Sequence, residues 1–191
     1  MTDRFNYWRS LVYHDPAHVL REFRRIELSL PPGIDPIVAR LRTPGLKPDR
    51  EGRDAALFTY AMCRASAKDI RFARAEDEDY DFVTCWQEAA TSHYTPVQLK
   101  ELVPEDLNPR ASLPALFEAV AAKYAAPTTT VLAVRLNRTA KLSDLLLVEM
   151  PPLGFAEVWY FCSVSADAQR WALFGDAKSQ MKQLYFDYPQ P

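Results

Sequence analysis

One acid, one amide and one amine in two neighbouring apolar stretches carry the chemistry of this chain. Asp81 opens the run Tyr80–Asp81–Phe82–Val83–Thr84–Cys85–Trp86, and Gln98 and Lys100 lie within Tyr94–Thr95–Pro96–Val97–Gln98–Leu99–Lys100–Glu101–Leu102. Side chains alternate across a strand, so Gln98 and Lys100 share one face of the second stretch while Val97 and Leu99 point into a core. A lysine flanked by apolar strand residues is costly unless it faces a cleft or a partner. Antiparallel pairing through a polar loop, Glu88–Thr95, brings Asp81 towards Gln98 and Lys100. A carboxylate and an amide oxygen are ligands for a hard divalent cation such as Mg²⁺. The lysine is suited to hold or deprotonate a water and to offset negative charge developing on a phosphate.

The surrounding pattern supplies the scaffold. Residues 1–14 are rich in aromatic and apolar side chains and form a short helix or packed arm. Asp15 followed by Pro16 is a helix start, an N-cap and a first-turn proline. Val19, Leu20, Phe23, Ile26, Glu27 and Leu30 form its mostly apolar face, and Pro31–Pro32–Gly33 stops it. A short helical turn is expected over Asp35–Arg42, then a breaker segment, Thr43–Pro48. A long helix follows from about Asp49 to Ala67, with Leu57, Phe58, Ala61, Met62 and Ala65 on its buried face and small Ala55, Ala56 and Ala67 allowing close approach to a sheet.

The period then changes. Ile70–Arg74 reads as a first strand, the acidic run Glu76–Asp79 as a turn, Asp81–Gln87 as a second strand and Val97–Val103 as a third. Ser112 opens a helix whose residues Leu113, Leu116, Phe117, Val120 and Tyr124 keep helical spacing. Thr128–Leu136 is β-branched and almost uniformly apolar, as in a strand buried on both faces. Beyond an apolar segment, Leu142–Glu149, three more strands are expected at Ala156–Val164, Arg170–Phe174 and Gln183–Tyr188. Their aromatic side chains extend the sheet or join two copies of the chain as a homodimer.

The expected whole is one α/β domain over 1–191. It has an N-terminal helical layer (1–47), a core (50–138) and a C-terminal strand extension (139–191). No apolar run reaches the ~18 residues of a membrane-spanning helix, and the N-terminus lacks the apolar stretch of a secretory signal. Three well-separated cysteines, Cys63, Cys85 and Cys162, read as buried free thiols, which places the protein in the cytoplasm. Residues 1–74 carry 14 Lys and Arg against 9 Asp and Glu, so the basic half suits a polyanion despite the overall charge of −2.

Other chemistries lack their motifs. Neither GxGxxG nor GxxxxGK[ST] occurs, nor CxxC, HExxH or GxSxG. His14 and His18 are four residues apart, but the helix start between them separates their faces. The acidic run Glu76–Asp81 lacks the ligand spacing of a calcium loop.

The order helix–strand–strand–strand–helix–strand, with Asp81 and then Gln98–Leu99–Lys100, resembles the PD-(D/E)xK nuclease superfamily in its Gln-x-Lys variant, over about residues 50–138. The resemblance implies a restriction-endonuclease-like mixed sheet flanked by helices, and metal-dependent phosphodiester cleavage of DNA with Mg²⁺ or Mn²⁺, in a setting such as bacterial defence. It makes Asp81, Gln98 and the Leu99 carbonyl the metal ligands and Lys100 the catalytic lysine. The family often adds an acid on the first core helix, and Glu51 is the candidate, with Asp54 behind it. Two departures stand out. Gln98 replaces the commoner acid, leaving one less negative charge for a metal. Tyr80 replaces the usual proline, and Asp79 is then a second candidate for the acid. The alternative is a catalytically inactive nuclease fold used for binding or assembly.

Overall fold

Helix starts are set by local chemistry. The Asp15 carboxylate accepts the His18 backbone N–H at 3.0 Å, and α2 runs Pro16–Ser29. Ahead of it, α1 (Thr2–Ser10) is held to the sheet by Trp8, whose indole N–H donates to the Tyr80 hydroxyl at 3.0 Å. A 3₁₀ turn, Pro44–Leu46, leads into α3 (Lys47–Ser66), which ends with Ala67 in the left-handed region at φ 55°. Ser112 caps α4 (Leu113–Lys123) by accepting the Ala115 N–H at 3.3 Å. This computed structural model describes residues 2–35, 38, 41–124, 126, 128–138 and 148–191. The expected turn over 35–42 and the apolar segment 142–149 lie mostly outside the described residues.

The described residues form a mixed α/β structure with four α-helices and one seven-stranded mixed sheet. The strands are β1 (Arg71–Asp77), β2 (Tyr80–Glu88), β3 (Thr91–Leu102), β4 (Val131–Leu136), β5 (Glu157–Ser163), β6 (Arg170–Gly175) and β7 (Lys182–Asp187). Their order in the sheet is their order in the chain. β1, β2 and β3 pair antiparallel, β4 and β5 join parallel to β3, and β6 and β7 close the far edge antiparallel.

Two apolar layers sandwich the sheet. Leu20 of α2 and Leu57, Phe58 and Ala61 of α3 pack with Phe82, Val97 and Phe161 on one face. Phe117, Val120 and Tyr124, at the end of α4, pack with Leu132, Val134 and Tyr160 on the other. β4 is buried along its whole length, as expected of a strand covered on both sides. The C-terminal aromatics extend this sheet: Phe161, Trp171, Phe174, Phe186 and Tyr188 are all buried within the chain. Among the described residues no helix is long and apolar enough to cross a membrane.

Several expectations need correction. Glu88–Thr95 is not a loop. The hairpin turns at Ala89–Ala90, with Ala89 at φ 52°, and β3 already begins at Thr91. Thr91–Thr95 is polar because that end of the hairpin is open to solvent, and its Thr and Tyr residues are good strand formers. His93 stacks on Trp86 across the strands at 5.0 Å. Ile26, placed on the core face of α2, is exposed, as are Ala65 and Ala67 near the end of α3. The three cysteines are free but only half-buried. β1 also reaches Asp77, leaving only Glu78–Asp79 as the turn.

Candidate functional site

The site forms where β2 and β3 part. Their antiparallel register runs from Glu88↔Thr91 to Phe82↔Val97 and stops there, while β3 continues beside β4 as far as Leu102↔Leu136. Asp81 and Gln98 stand one step beyond the last pair. In place of a further ladder bond, the Asp81 carboxylate accepts the Leu99 backbone N–H at 2.6 Å. The same oxygen, Oδ2, also accepts the Gln98 side-chain amide Nε2. That nitrogen lies 3.4 Å from the Leu99 carbonyl oxygen. Two of the atoms expected to bind metal, Asp81 Oδ2 and the Leu99 carbonyl oxygen, therefore belong to one hydrogen-bonded cluster, which Gln98 enters through its amide nitrogen rather than the expected oxygen.

Gln98 is almost fully buried, at 3% exposure, and its amide is tied at both ends. Its Oε1 accepts the Tyr124 hydroxyl at 2.6 Å. Tyr124 is delivered by the last turn of α4, and its hydroxyl also stands 3.3 Å from the Glu78 carbonyl in the β1–β2 turn. Lys123 donates to that same carbonyl at 3.1 Å.

Lys100 is half-buried, with its ammonium 6.0 Å from the centre of the Tyr124 ring. Burial pushes its pKa below the ordinary lysine value. The Asp81 and Glu51 charges work against that shift, and Lys123 and Lys47 reinforce it. Two acids and three lysines thus share one electrostatic neighbourhood. A small pocket adjoining the cluster is lined by Glu51, Ala55, Arg74, Asp81, Phe82 and Leu99. Glu51, the helix candidate, lies there with Lys47 3.4 Å away.

Two secondary candidates are elsewhere. Asp54 is buried and accepts from Arg135 of β4 at 2.5 Å, so it belongs to a structural ion pair. Asp79 lies in the exposed turn, 3.7 Å from Arg4 of α1. No family model, no curated protein and no solved structure matches the chain.

The residues at the fork can offer hard oxygens: the Asp81 carboxylate and the Leu99 carbonyl as they stand, the Gln98 amide oxygen only once its amide is turned, and a second carboxylate, Glu51, on α3 in the lining of the adjoining pocket. That composition fits Mg²⁺ or Mn²⁺ and suits softer metals poorly. Among the described residues no three His, Cys, Asp or Glu side chains cluster closely enough to hold a metal. The shortfall follows from the sequence, because the third position is the amide Gln98.

Tyr124, Arg74 and Lys123 were not among the expected site residues. Tyr124 figured only as a hydrophobic position on α4. Its signal was the hydroxyl, since a tyrosine turned into a core needs a hydrogen-bond partner. Arg74 carried no signal beyond its charge.

Proposed function

We propose that this protein is a metal-dependent nuclease that hydrolyses phosphodiester bonds in DNA, with Asp81, Gln98, the Leu99 carbonyl and Lys100 as its working groups and Glu51 in support. The observation that carries this reading is the convergence of Asp81, Gln98 and Leu99 at the fork between β2 and β3. The helix–strand–strand–strand–helix–strand order, with β3 and β4 parallel across α4, supports a restriction-endonuclease-like core.

Bound Mg²⁺ or Mn²⁺ would polarise the scissile phosphate and lower the pKa of a water. Asp81, Gln98 and the Leu99 carbonyl would hold it. Lys100 sits on the strand face it shares with Gln98, where its charge offsets the negative charge that builds on the phosphate during attack. Partial burial weakens its hold on its proton, which suits a group that orients a water and exchanges a proton with it. Lys47, Lys123 and Arg74 supply further positive charge around the fork, as a polyanionic substrate requires.

The test is nicking of supercoiled plasmid with Mg²⁺ or Mn²⁺. Activity lost in Asp81→Asn and Lys100→Met, with both variants folded, supports the reading. Folded wild-type protein that leaves DNA and RNA intact with either metal refutes it. That outcome selects the second reading, a nuclease fold used for binding or assembly, which the replacement of an acid by Gln98 favours.

A further inference from the structure

We infer that Tyr124 is a positioning residue which lets the Gln98 side chain turn over when a divalent cation enters, exchanging an amide nitrogen for an amide oxygen at the site. The inference rests on the metal-binding reading above. It begins from the direction of the Gln98 amide. Asp81 Oδ2 already acts as an acceptor, taking the Leu99 N–H, so with no cation present the group facing it has to be a donor, and Nε2 faces it. The same Nε2 lies 3.4 Å from the Leu99 carbonyl. The amide nitrogen thus sits among the oxygens that a cation would occupy, holding them together in its place.

In that orientation Gln98 offers a metal no lone pair. Its oxygen points the other way, accepting the Tyr124 hydroxyl at 2.6 Å. A half-turn of the amide reverses both ends. Oε1 then faces Asp81 and the Leu99 carbonyl, three oxygens converging on one point, which is repulsive unless a cation lies between them. Nε2 then faces Tyr124 and needs an acceptor.

Tyr124 can provide one because its hydroxyl has a second place for its proton. The Glu78 carbonyl lies 3.3 Å from the Tyr124 oxygen. Once the hydroxyl hydrogen swings to Glu78, the phenol oxygen accepts Nε2 and no buried donor is left unpaired. No proton is gained or lost. A phenylalanine at this position would accept nothing, and the turned amide would bury an unsatisfied N–H. Tyr124 is itself buried, at 7% exposure, so water has little access to take over that role.

The experiment follows the Gln98 side-chain NH₂ signals by ¹H–¹⁵N NMR during Mg²⁺ titration, and measures Mg²⁺ and Mn²⁺ affinity by calorimetry in four proteins. These are the wild type, Tyr124→Phe, Gln98→Glu and the double variant. In the wild type the NH₂ signals should move in step with Mg²⁺ binding. Tyr124→Phe removes a hydrogen bond in both states, so it should weaken binding only about two- to fivefold, the excess cost of an orphaned N–H in the bound state over an under-satisfied amide oxygen in the free one. In the Gln98→Glu background the same change should matter by less than about twofold, because a carboxylate has no N–H to rehouse. Mg²⁺ binding that leaves the NH₂ signals in place, or equal losses in both backgrounds, overturns the inference while the metal site stands. Absence of Mg²⁺ and Mn²⁺ binding in the folded wild type overturns the inference together with the reading it rests on. The NMR arm uses only the wild type, so it can still overturn the inference even if a variant fails to fold.

Discussion

The Asp81 carboxylate, one residue past the end of the β2–β3 ladder, accepts the backbone N–H of Leu99, two residues past it on β3, at 2.6 Å. A side chain thus takes the place of a strand carbonyl, and the two strands fork around it. Asp81→Ala removes the acceptor and leaves a partly buried N–H without its partner, at a cost of about 1–3 kcal/mol. Asp81→Asn keeps an oxygen for Leu99 and should stay within about 1 kcal/mol of wild type while losing activity. Urea unfolding alongside the nicking assay separates the two effects. Equal stability loss in both variants would mean that the contact does not hold the fork.

Lys100 should cost the fold stability. Burial favours its neutral form, so its folded pKa lies below the 10.5 of an exposed lysine. Within the window between the two values the unfolded chain binds more protons, and stability rises with pH. Lys100→Met is therefore expected to be more stable than wild type at pH 7. The gain should be about 0.5–1 kcal/mol, kept small because water screens a half-exposed amine. The advantage should shrink as pH approaches 10.5, which thermal melts between pH 7 and 10 would show.

Asp54 and Arg135 form a buried pair that joins α3 to β4 at 2.5 Å. Burial alone would lower the Arg135 pKa, but the Asp54 carboxylate more than compensates, and the guanidinium stays charged. Asp54→Ala strands that charge in the core and should destabilise by about 3–5 kcal/mol. The double variant Asp54→Leu with Arg135→Met should recover most of the loss, since an apolar pair of similar volume is often neutral. A double variant as unstable as the single would show that the pair is not an isolated unit. Denaturant melts of both variants give the answer.

Glu101 gives the fold a dependence on acid. Burial pushes its carboxyl up, but hydrogen bonds from Arg42 and Asn137 and the Arg135 charge hold it below its ordinary value of 4.5. The Asn137 amide donates at 2.7 Å, and Arg42 clamps both carboxylate oxygens. The stability from this group is present above pH 4.5 and is lost as pH falls through the lower folded value. Glu101→Gln should cost about 1–3 kcal/mol at pH 7. Its melting curve should converge on that of wild type as pH falls below 4.5, and a gap that does not narrow with acid would exclude this cause.

Much of this architecture was already legible in the chain. Caps and periodicity announce α2 and α4, because Asp15 and Ser112 act on N–H groups three residues away. β4 to β7 are visible as apolar and aromatic runs, since burial on a strand leaves a short-range pattern. The pleat alone puts Gln98 and Lys100 on one face.

Tertiary structure decided what depends on distant partners. Thr91–Thr95 is too polar to be recognised as strand, and pairing with β2 makes it one. The point where β2 and β3 part is marked by the Asp81–Leu99 contact, between residues 18 apart. Asp54 is drawn from the site by Arg135, 81 residues on. Tyr124 reaches Gln98 only because α4 ends against the sheet. A hydrogen bond between remote residues leaves no period and no spacing in the chain, so the atoms that orient the site emerge only when the fold is closed.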